Sequence, residues 1–323
     1  AAVLDCLRGA PDDAVAPGDD AVGDARGDDA AITLWVLHEL HYRGFDEVDE
    51  RWEWTPQLMG VRAALEADLE RRLRERYAAF TGTGGAERAP ERTGDLARDL
   101  FALVDGHDGP SLAEQVQLRA SREEVLALLR QRSIYHLKEA DPTSWVVPRL
   151  EAGPKAALME IQFDEYGGGR PERLHHRLFQ DGLREVGLDP TYGAYVDEAC
   201  TEVLEQNNAL SLFGLHRRLR GAAMGHLAAF EATSSLPSKK MARGLERVGL
   251  TGALVDYYTE HVLADAVHDQ LAVRAVCAAM VEAEPALAED VFLGAYSCLD
   301  LEARTARRLL ADAEDDATGE AVA

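Results

Sequence analysis

Helical periodicity is the feature that most constrains the fold of this chain. From Ala30 onward, apolar residues recur at steps of three and four, as in the run Leu58, Val61, Leu65 and Leu69. Such spacing places the apolar side chains along one face of a helix. No segment shows sustained apolar–polar alternation with β-branched residues, so no strand is predicted. The pattern therefore predicts an all-α protein.

The chain is expected to divide into a main bundle and accessory segments. Residues 1–29 interleave aspartates with Gly, Ala and Pro, a composition typical of a flexible acidic tail. Residues 30–110 are predicted to form N-terminal helices that pack on the bundle, which is assigned to residues 111–315. Residues 316–323 are predicted to form a second tail. At 323 residues with 46% hydrophobic content, the chain can bury a sizeable core.

Three consecutive glycines interrupt the helical pattern near the middle of the chain. A helix predicted over residues 154–163 stops at Gly167–Gly169 and restarts after Pro171. This places Glu165 at the end of one helical piece and His175 inside the next. A carboxylate and an imidazole that meet across such a break can share a metal ion.

Charge and cysteine usage exclude several classes of function. The net charge of -24 argues against binding to nucleic acid or to an anionic membrane surface, because both require basic patches. No apolar run is long enough to span a bilayer. The four cysteines are scattered without a Cys-x-x-Cys pair, which favours free thiols in a reducing compartment. The sequence therefore predicts a cytoplasmic protein.

Carboxylates and histidines within apolar helical neighbourhoods form a candidate metal site. His261, Asp265 and His268 lie at i, i+4 and i+7 and so share one helix face. Burying such a face is unfavourable unless a metal ion or a full hydrogen-bond network satisfies it. Glu139 is expected late in a helix over residues 125–139. The full candidate ligand set is Glu139, Glu165, His175, Glu231, His261, Asp265 and His268.

The ligand types indicate iron, with manganese as the second choice. Oxygen and nitrogen donors without sulfur suit these metals, and a pair of ions with bridging carboxylates would use the whole set. A structural zinc site usually draws on cysteine. A single iron held by three residues would leave carboxylates unused. The remaining histidines of this part of the chain, His136, His176, His216 and His226, are expected to be core or surface residues.

A second ligand assignment stays open. Glu172 and His175 form a Glu-x-x-His pair, and Asp265 and His268 form an Asp-x-x-His pair. Together with Glu139 and Glu231 they follow the ligand order of ferritin-like diiron bundles. In that case Glu172 would replace Glu165, and His261 would have no role.

At these residues the chain resembles the haem-oxygenase-like diiron oxidases and oxygenases. The matching stretches are residues 136–141, 164–175, 212–220, 226–231 and 261–268. The resemblance implies a haem-oxygenase-like helical bundle with iron ligands in place of haem. It also implies two Fe(II) ions with O2 as co-substrate, and it leaves room for an external reductant and a homodimer.

The function implied by this resemblance is oxidation of a small molecule in specialised metabolism. The substrate would be amino-acid-like, with C–H desaturation, cyclisation or N-oxygenation as the outcome. Oxidative decarboxylation or desaturation of a fatty acid is the alternative within the same class. Arg217 and Arg220 are candidates to hold a substrate carboxylate. Rival classes are a non-catalytic iron-binding protein and a hydrolase with a nucleophilic cysteine, for which Cys200 and Cys277 lack an evident activating partner.

Overall fold

The architecture is known from a computed structural model, which describes Leu7, residues 27–82 and residues 89–320. The side chains of residues 263–266 and 314–320 lie outside the described part. Helices dominate, and no strand occurs among the described residues. The predicted all-α class is therefore confirmed. Nearly all of the predicted N-terminal tail, residues 1–29, lies outside the described residues; its last two residues, Asp28 and Asp29, begin the first helix.

The α-helices of the described residues are joined by connections of different lengths. In chain order they are α1 (Asp28–Glu39), α2 (Pro56–Thr81), α3 (Leu96–Asp105), α4 (Leu112–Leu118), α5 (Arg122–His136), α6 (Asp141–Ser144), α7 (Ala152–Glu165), α8 (His175–Glu185), α9 (Thr201–Leu215), α10 (Arg220–Arg247), α11 (Ala253–Gln270), α12 (Ala279–Ala283) and α13 (Ala288–Glu320). Short 3₁₀ turns fill several connections, and Gly167–Gly169 and Pro171–Arg173 are two of them. Residues 316–320 of the predicted C-terminal tail continue α13.

The apolar spacing predicts one long helix from about Ser211 to Glu231 that ends before Pro237, and this prediction is wrong because the break falls at a different place. Helix α9 ends at Leu215, and α10 begins at Arg220 and continues through Pro237 to Arg247. Proline inside a helix removes one backbone hydrogen bond. Here the helix persists because Met241 and Leu245, beyond the proline, are buried in an apolar cluster. Tertiary burial therefore outweighs the local signal that Pro237 gives.

The helix predicted over residues 125–139 ends earlier than expected. Helix α5 ends at His136, and Glu139 lies in the turn that follows. Ser121 and Glu124 have the spacing that predicts a capping box, and α5 begins with one: the Ser121 hydroxyl accepts from the Glu124 backbone N–H, and the Glu124 carboxylate accepts from the Ser121 N–H. The start of this helix was therefore readable from the sequence, whereas its end was not.

Helices α10 and α13 form the closest pair in the bundle. Gly225 lies against the backbone of Val291, and Gly294 lies against the backbone of Ala222, so a β-carbon at either glycine would collide with a carbonyl oxygen. The two backbones can approach this closely because glycine has no side chain. This contact fixes the position of α10, which carries Glu231.

The apolar core combines residues from both ends of the chain. Leu34 and Trp35 of α1 belong to the same buried cluster as Phe213 of α9, Met224 of α10 and Leu301 of α13. A second cluster lies around Leu129, Phe179 and Tyr257 and connects α5, α8 and α11. The division into residues 30–110 and 111–315 stays a prediction.

A π-helical segment, Leu271–Ala278, follows directly after α11. The sequence pattern did not predict it, and such segments are frequent at functional sites.

Among the described residues, no helix combines the length and apolarity that a membrane crossing requires.

Candidate metal centre

The glycine break brings Glu165 and His175 together. Gly167 adopts a φ of 72°, and a β-carbon there would lie 2.6 Å from the carbonyl carbon of Arg173. Only glycine can therefore take this position without displacing the backbone. The chain folds back on itself so that Glu165, the last residue of α7, meets His175, the first residue of α8. Glu165 Oε2 lies 2.9 Å from His175 Nδ1.

Two more side chains, those of Glu139 and His261, lie close to this pair. Glu139 Oε1 lies 4.0 Å from His175 Nδ1, and Glu139 Oε2 lies 3.8 Å from His261 Nε2. The ligand-type atoms of Glu139, Glu165, His175 and His261 all lie within 4.8 Å of one another. All four residues are buried. This first group has the size and donor set of a metal site.

A second group shares one of these carboxylates. Ligand-type atoms of Glu165, Glu231 and His268 also lie within 4.8 Å of one another, and His268 Nδ1 is 3.5 Å from Glu231 Oε2. The opposite ring nitrogen of His268, Nε2, lies 3.1 Å from Asp164 Oδ2. Glu165 is thus common to both groups, as a carboxylate that bridges two metal ions must be.

The buried carboxylates of the cluster require positive charge nearby to offset the unfavourable burial of their negative charge. Glu139, Glu165 and Glu231 bring three carboxylates into the interior, where unpaired charge is very unfavourable. Burial alone would lower the pKa of His268, but its hydrogen bond to Glu231 and the nearby carboxylates raise that pKa to about 9. A proton on His268 therefore supplies part of the charge that a metal ion would supply. Glu139 Oε1 is buried and accepts no hydrogen bond from a described residue, which leaves it available as a ligand.

Neighbouring groups hold the ligands in position. The Tyr257 hydroxyl donates to Glu139 Oε2 at 2.7 Å and accepts from His136 Nδ1 at 2.6 Å. His261 Nδ1 donates to the Tyr257 carbonyl at 2.9 Å, which leaves Nε2 with its lone pair directed at the cluster. Although burial raises the pKa of Glu139, its hydrogen bond to His136 and the nearby imidazoles lower it to about 2. The carboxylate is therefore held in its ligating, ionised form.

A small cavity of about 20 Å³ lies beside the cluster. Its lining includes Glu139, Glu165, Glu231 and His261, and Phe230 forms part of its wall. A volume of this order holds about one water molecule. It can admit a diatomic gas but is too small for an organic molecule.

The structure brings together six of the seven predicted ligands. The seventh, Asp265, lies in α11, but its side chain is outside the described part of the chain. Glu172 is exposed and belongs to neither group, so the geometry favours Glu165 over the ferritin-like alternative. Sequence reasoning missed Tyr257 and Asp164, because no spacing rule relates them to the ligands.

The histidines that were not expected to be ligands and the two arginines that were expected to hold a substrate carboxylate lie in different surroundings. His136 contacts the cluster through its hydrogen bonds with Glu139 and Tyr257. Arg220 pairs with Glu284, and neither it nor Arg217 lines the cavity beside the cluster. Their role in substrate binding stays a prediction without support from this placement.

Residues 126–303 match the model of a protein family described as iron-containing redox enzymes. The match covers more than half of the chain and spans all seven predicted ligands. The chain belongs to the iron-containing redox enzyme family. The resemblance inferred from the ligand stretches is therefore confirmed, and the haem-oxygenase-like fold agrees with it.

Comparison with curated and solved proteins adds individual relatives of this chain. The chain is 28% identical over 196 residues to nitrosourea synthase from Streptomyces achromogenes subsp. streptozoticus, a match that covers 58% of this chain and 41% of the relative. The chain thus spans about two fifths of that relative's length. Two crystal structures of a CADD-like protein of unknown function from Nostoc punctiforme PCC 73102 align with TM-scores of 0.49 and 0.48, both at 16% identity; they cover 76% and 78% of this chain and 97% and 96% of the respective aligned chains.

Proposed function

We propose that this chain is a non-haem diiron oxidase or oxygenase that uses O2 to oxidise an amino-acid-like small molecule. Oxygen transfer to a nitrogen atom is the outcome to test first, because the related enzyme nitrosourea synthase is named for a product with oxidised nitrogen. Desaturation or cyclisation at an aliphatic C–H bond is the second outcome.

One observation carries this proposal: two groups of ligand-type atoms meet at Glu165. The first group offers two carboxylates and two imidazoles, and the second adds Glu231 and His268. Six buried donors without sulfur suit a pair of iron ions better than one zinc or one iron. A pair of ferrous ions, when bound, supplies two electrons and open positions for reducing O2.

The chain's own residues would control this chemistry in three ways. Glu165, which belongs to both groups, would contribute a ligand to each of the two ions. The Tyr257 hydroxyl donates to Glu139 Oε2 while it accepts from His136 Nδ1, and so keeps that carboxylate in one orientation. The apolar wall formed by Ile161, Leu227 and Phe230 limits the water that reaches the centre.

The iron stoichiometry of ligand variants tests the metal assignment. Anaerobic titration of the full chain with Fe(II) should give about two bound ions, one for each group. His268→Ala and His261→Ala should each remove one ion, and Glu165→Ala should impair both. Glu172→Ala is the matched control, since this exposed carboxylate of the same segment belongs to neither group. Loss of iron in Glu172→Ala with full loading of Glu165→Ala would favour the ferritin-like assignment instead.

Oxygen uptake tests the catalytic part of the proposal. The iron-loaded chain should consume O2 faster when the right amino acid or amine derivative is added, and mass spectrometry should show a product that has gained oxygen or lost hydrogen. Two bound iron ions without substrate-dependent O2 uptake across such a screen would contradict catalysis and favour an iron-binding protein.

A further inference from the structure

A second, larger cavity shares Phe230 with the small one. Its volume is about 230 Å³, and parts of α4, α5, α9, α10, α11 and α13 line it. Phe230 lines both this cavity and the small one beside the metal ligands. His136 also lines the larger cavity while it hydrogen-bonds with Glu139 and Tyr257. The larger cavity therefore reaches the immediate surroundings of the metal cluster.

The size of this cavity suits a small organic molecule. It exceeds the cavity of about 150 Å³ that holds benzene in an engineered protein core. The cavity beside the cluster is an order of magnitude smaller and leaves no room for such a molecule. A substrate seated in the larger cavity would face the metal centre across Phe230.

The polar end of the cavity is an ion pair with an unused acceptor. Glu302 accepts two hydrogen bonds from Arg132, one on each carboxylate oxygen, and a third from Gln206 at 3.0 Å on Oε2. A carboxylate offers about four acceptor sites, so capacity remains on Oε1. Both charged residues line the cavity, but the side chain of Glu302 is 39% exposed and that of Arg132 only 19%. A ligand therefore meets the carboxylate more than the guanidinium.

The rest of the wall is mainly apolar. Met241, Leu299 and Phe230 contribute apolar side chains to this wall, and Thr233 and Ser238 add weakly polar hydroxyl groups. An aliphatic or aromatic body fits such a wall. The strong negative charge of the whole chain favours a cationic ligand over an anionic one.

We propose that this cavity binds a small molecule by its ammonium or guanidinium group on Glu302, with the apolar part of the molecule directed toward Phe230. Calling this molecule the substrate rests on the proposed function; the binding site itself does not. Phe230 would then decide which atom of the bound molecule comes nearest to the metal centre.

Two cysteines of the chain provide an internal reporter and its control. Cys298 lines the cavity, whereas Cys277 lines none of the cavities described here and donates its thiol to the Met224 carbonyl. Both are buried, and burial raises the pKa of both thiols. Methyl methanethiosulfonate, a small thiol reagent, should therefore modify Cys298 much faster than Cys277 in the folded chain, as read by mass spectrometry of peptides.

Ligand protection then tests the proposed chemistry. n-Butylammonium should slow the modification of Cys298 and leave Cys277 unaffected. Glu302→Gln should weaken this protection about tenfold in apparent Kd, the loss expected for one charge-assisted hydrogen bond. Protection by the uncharged n-butanol should not change. Asp300→Asn is the matched control, because it removes a carboxylate of the same helix that pairs with Arg76 away from the cavity.

A conservative variant guards against misfolding of Glu302→Gln. Glu302→Asp keeps the negative charge beside Arg132 but withdraws it by one methylene, so it should fold and show intermediate protection. Protection by n-butyrate and none by n-butylammonium would overturn the cationic assignment in favour of Arg132. Equal modification rates for Cys298 and Cys277, with no protection, would overturn the site.

The experiment uses the chain without added iron, so its result does not depend on oxygen chemistry. Protection of Cys298 in a chain that shows no iron-dependent O2 uptake would leave the binding site standing and remove the proposed function. The converse result would remove the binding site alone.

Discussion

Tyr257 lies where three polar groups of the cluster meet. Its hydroxyl is hydrogen-bonded to Glu139 and to His136, and its carbonyl accepts from His261. Residues that orient metal ligands typically change metal affinity by a factor of 10 to 100 when they are replaced. Tyr257→Phe should therefore raise the Kd for the first iron group about tenfold, as measured by anaerobic Fe(II) titration.

The neighbouring Tyr258 provides the control for this change. It lies on the same helix, but no described hydrogen bond joins it to Glu139, Glu165 or Glu231. Tyr258→Phe should leave the iron Kd unchanged. Equal iron affinity in the Tyr257→Phe variant and the unaltered chain would show that this hydrogen bond does not support the ligand.

His226 predicts part of the pH dependence of stability. Neither ring nitrogen hydrogen-bonds to a described residue, and burial lowers the pKa of His226 to about 4. An unfolded histidine titrates near pH 6.5, so between pH 6.5 and 4 the unfolded chain binds the extra proton. The free energy of unfolding is therefore unaffected by protonation of His226 above pH 6.5, and it decreases as the pH falls from 6.5 toward 4.

Replacing this ring with an apolar side chain of similar volume should remove that loss. His226→Leu should raise the free energy of unfolding by about 1–2 kcal/mol at pH 5, and by less at pH 8, in urea titrations. His41 and His38 also have lowered pKa values and keep contributing in the variant. An identical pH profile with and without His226 would contradict this account.

At the scale of elements, the glycine break between α7 and α8 positions two ligands at once. Gly167 and Gly169 both have positive φ angles, of 72° and 77°. Alanine at Gly169 would meet no atom within 4 Å, so it should cost only about 1–2 kcal/mol of backbone strain. Alanine at Gly167 would collide with the backbone at Arg173 and should cost several times more.

Denaturation and iron titration of these two variants measure the importance of the break. Gly167→Ala should lose iron because Glu165 and His175 move apart, whereas Gly169→Ala should keep both ions with a modest loss of stability. Equal stability and equal iron content in the two variants would mean that the close approach at Gly167 does not hold the site together.

The same element shows what the sequence could and could not predict. The three glycines and Pro171 predicted the break and the meeting of Glu165 with His175, because their backbone preferences are local. The end of α5 at His136 was not predictable, since the turn that carries Glu139 depends on contacts with distant residues. Gln162, for example, donates to the carbonyl of Ala140 in that turn at 3.0 Å.

At the scale of the whole molecule, a buried ion pair connects α1 to this turn. Lys138 precedes Glu139 and pairs with Glu39 of α1, and both side chains are almost fully buried. Tyr192 donates to the same Glu39 oxygen at 2.9 Å, and the Lys138 ammonium lies 4.2 Å from the ring centre of Tyr42. Helix α1 therefore stabilises the turn that carries Glu139, a candidate metal ligand.

Breaking this pair on one side should be costly. Glu39→Gln leaves the Lys138 charge buried without its counter-ion and should lower the free energy of unfolding by about 3–5 kcal/mol in guanidinium titrations. The double variant Glu39→Leu with Lys138→Met should recover most of that loss, because no charge stays buried. A Glu39→Gln chain as stable as the original would show that the pair does not anchor the turn.

Global properties of the fold were predictable to different degrees. The all-α class followed from periodicity, and six residues of the candidate metal site were recognisable because carboxylates and histidines are rare in apolar helical faces. The continuity of α10 through Pro237 and the ion pair between Glu39 and Lys138 were not predictable. Both depend on contacts between segments that are distant in the sequence.

In the proposed diiron centre, two metal ions share Glu165. Crystals of the iron-loaded chain, measured on both sides of the iron absorption edge, would show whether they do. We expect two anomalous difference peaks, one among Glu139, Glu165, His175 and His261 and one among Glu165, Glu231 and His268. A single peak, or peaks that do not contact Glu165, would contradict this arrangement.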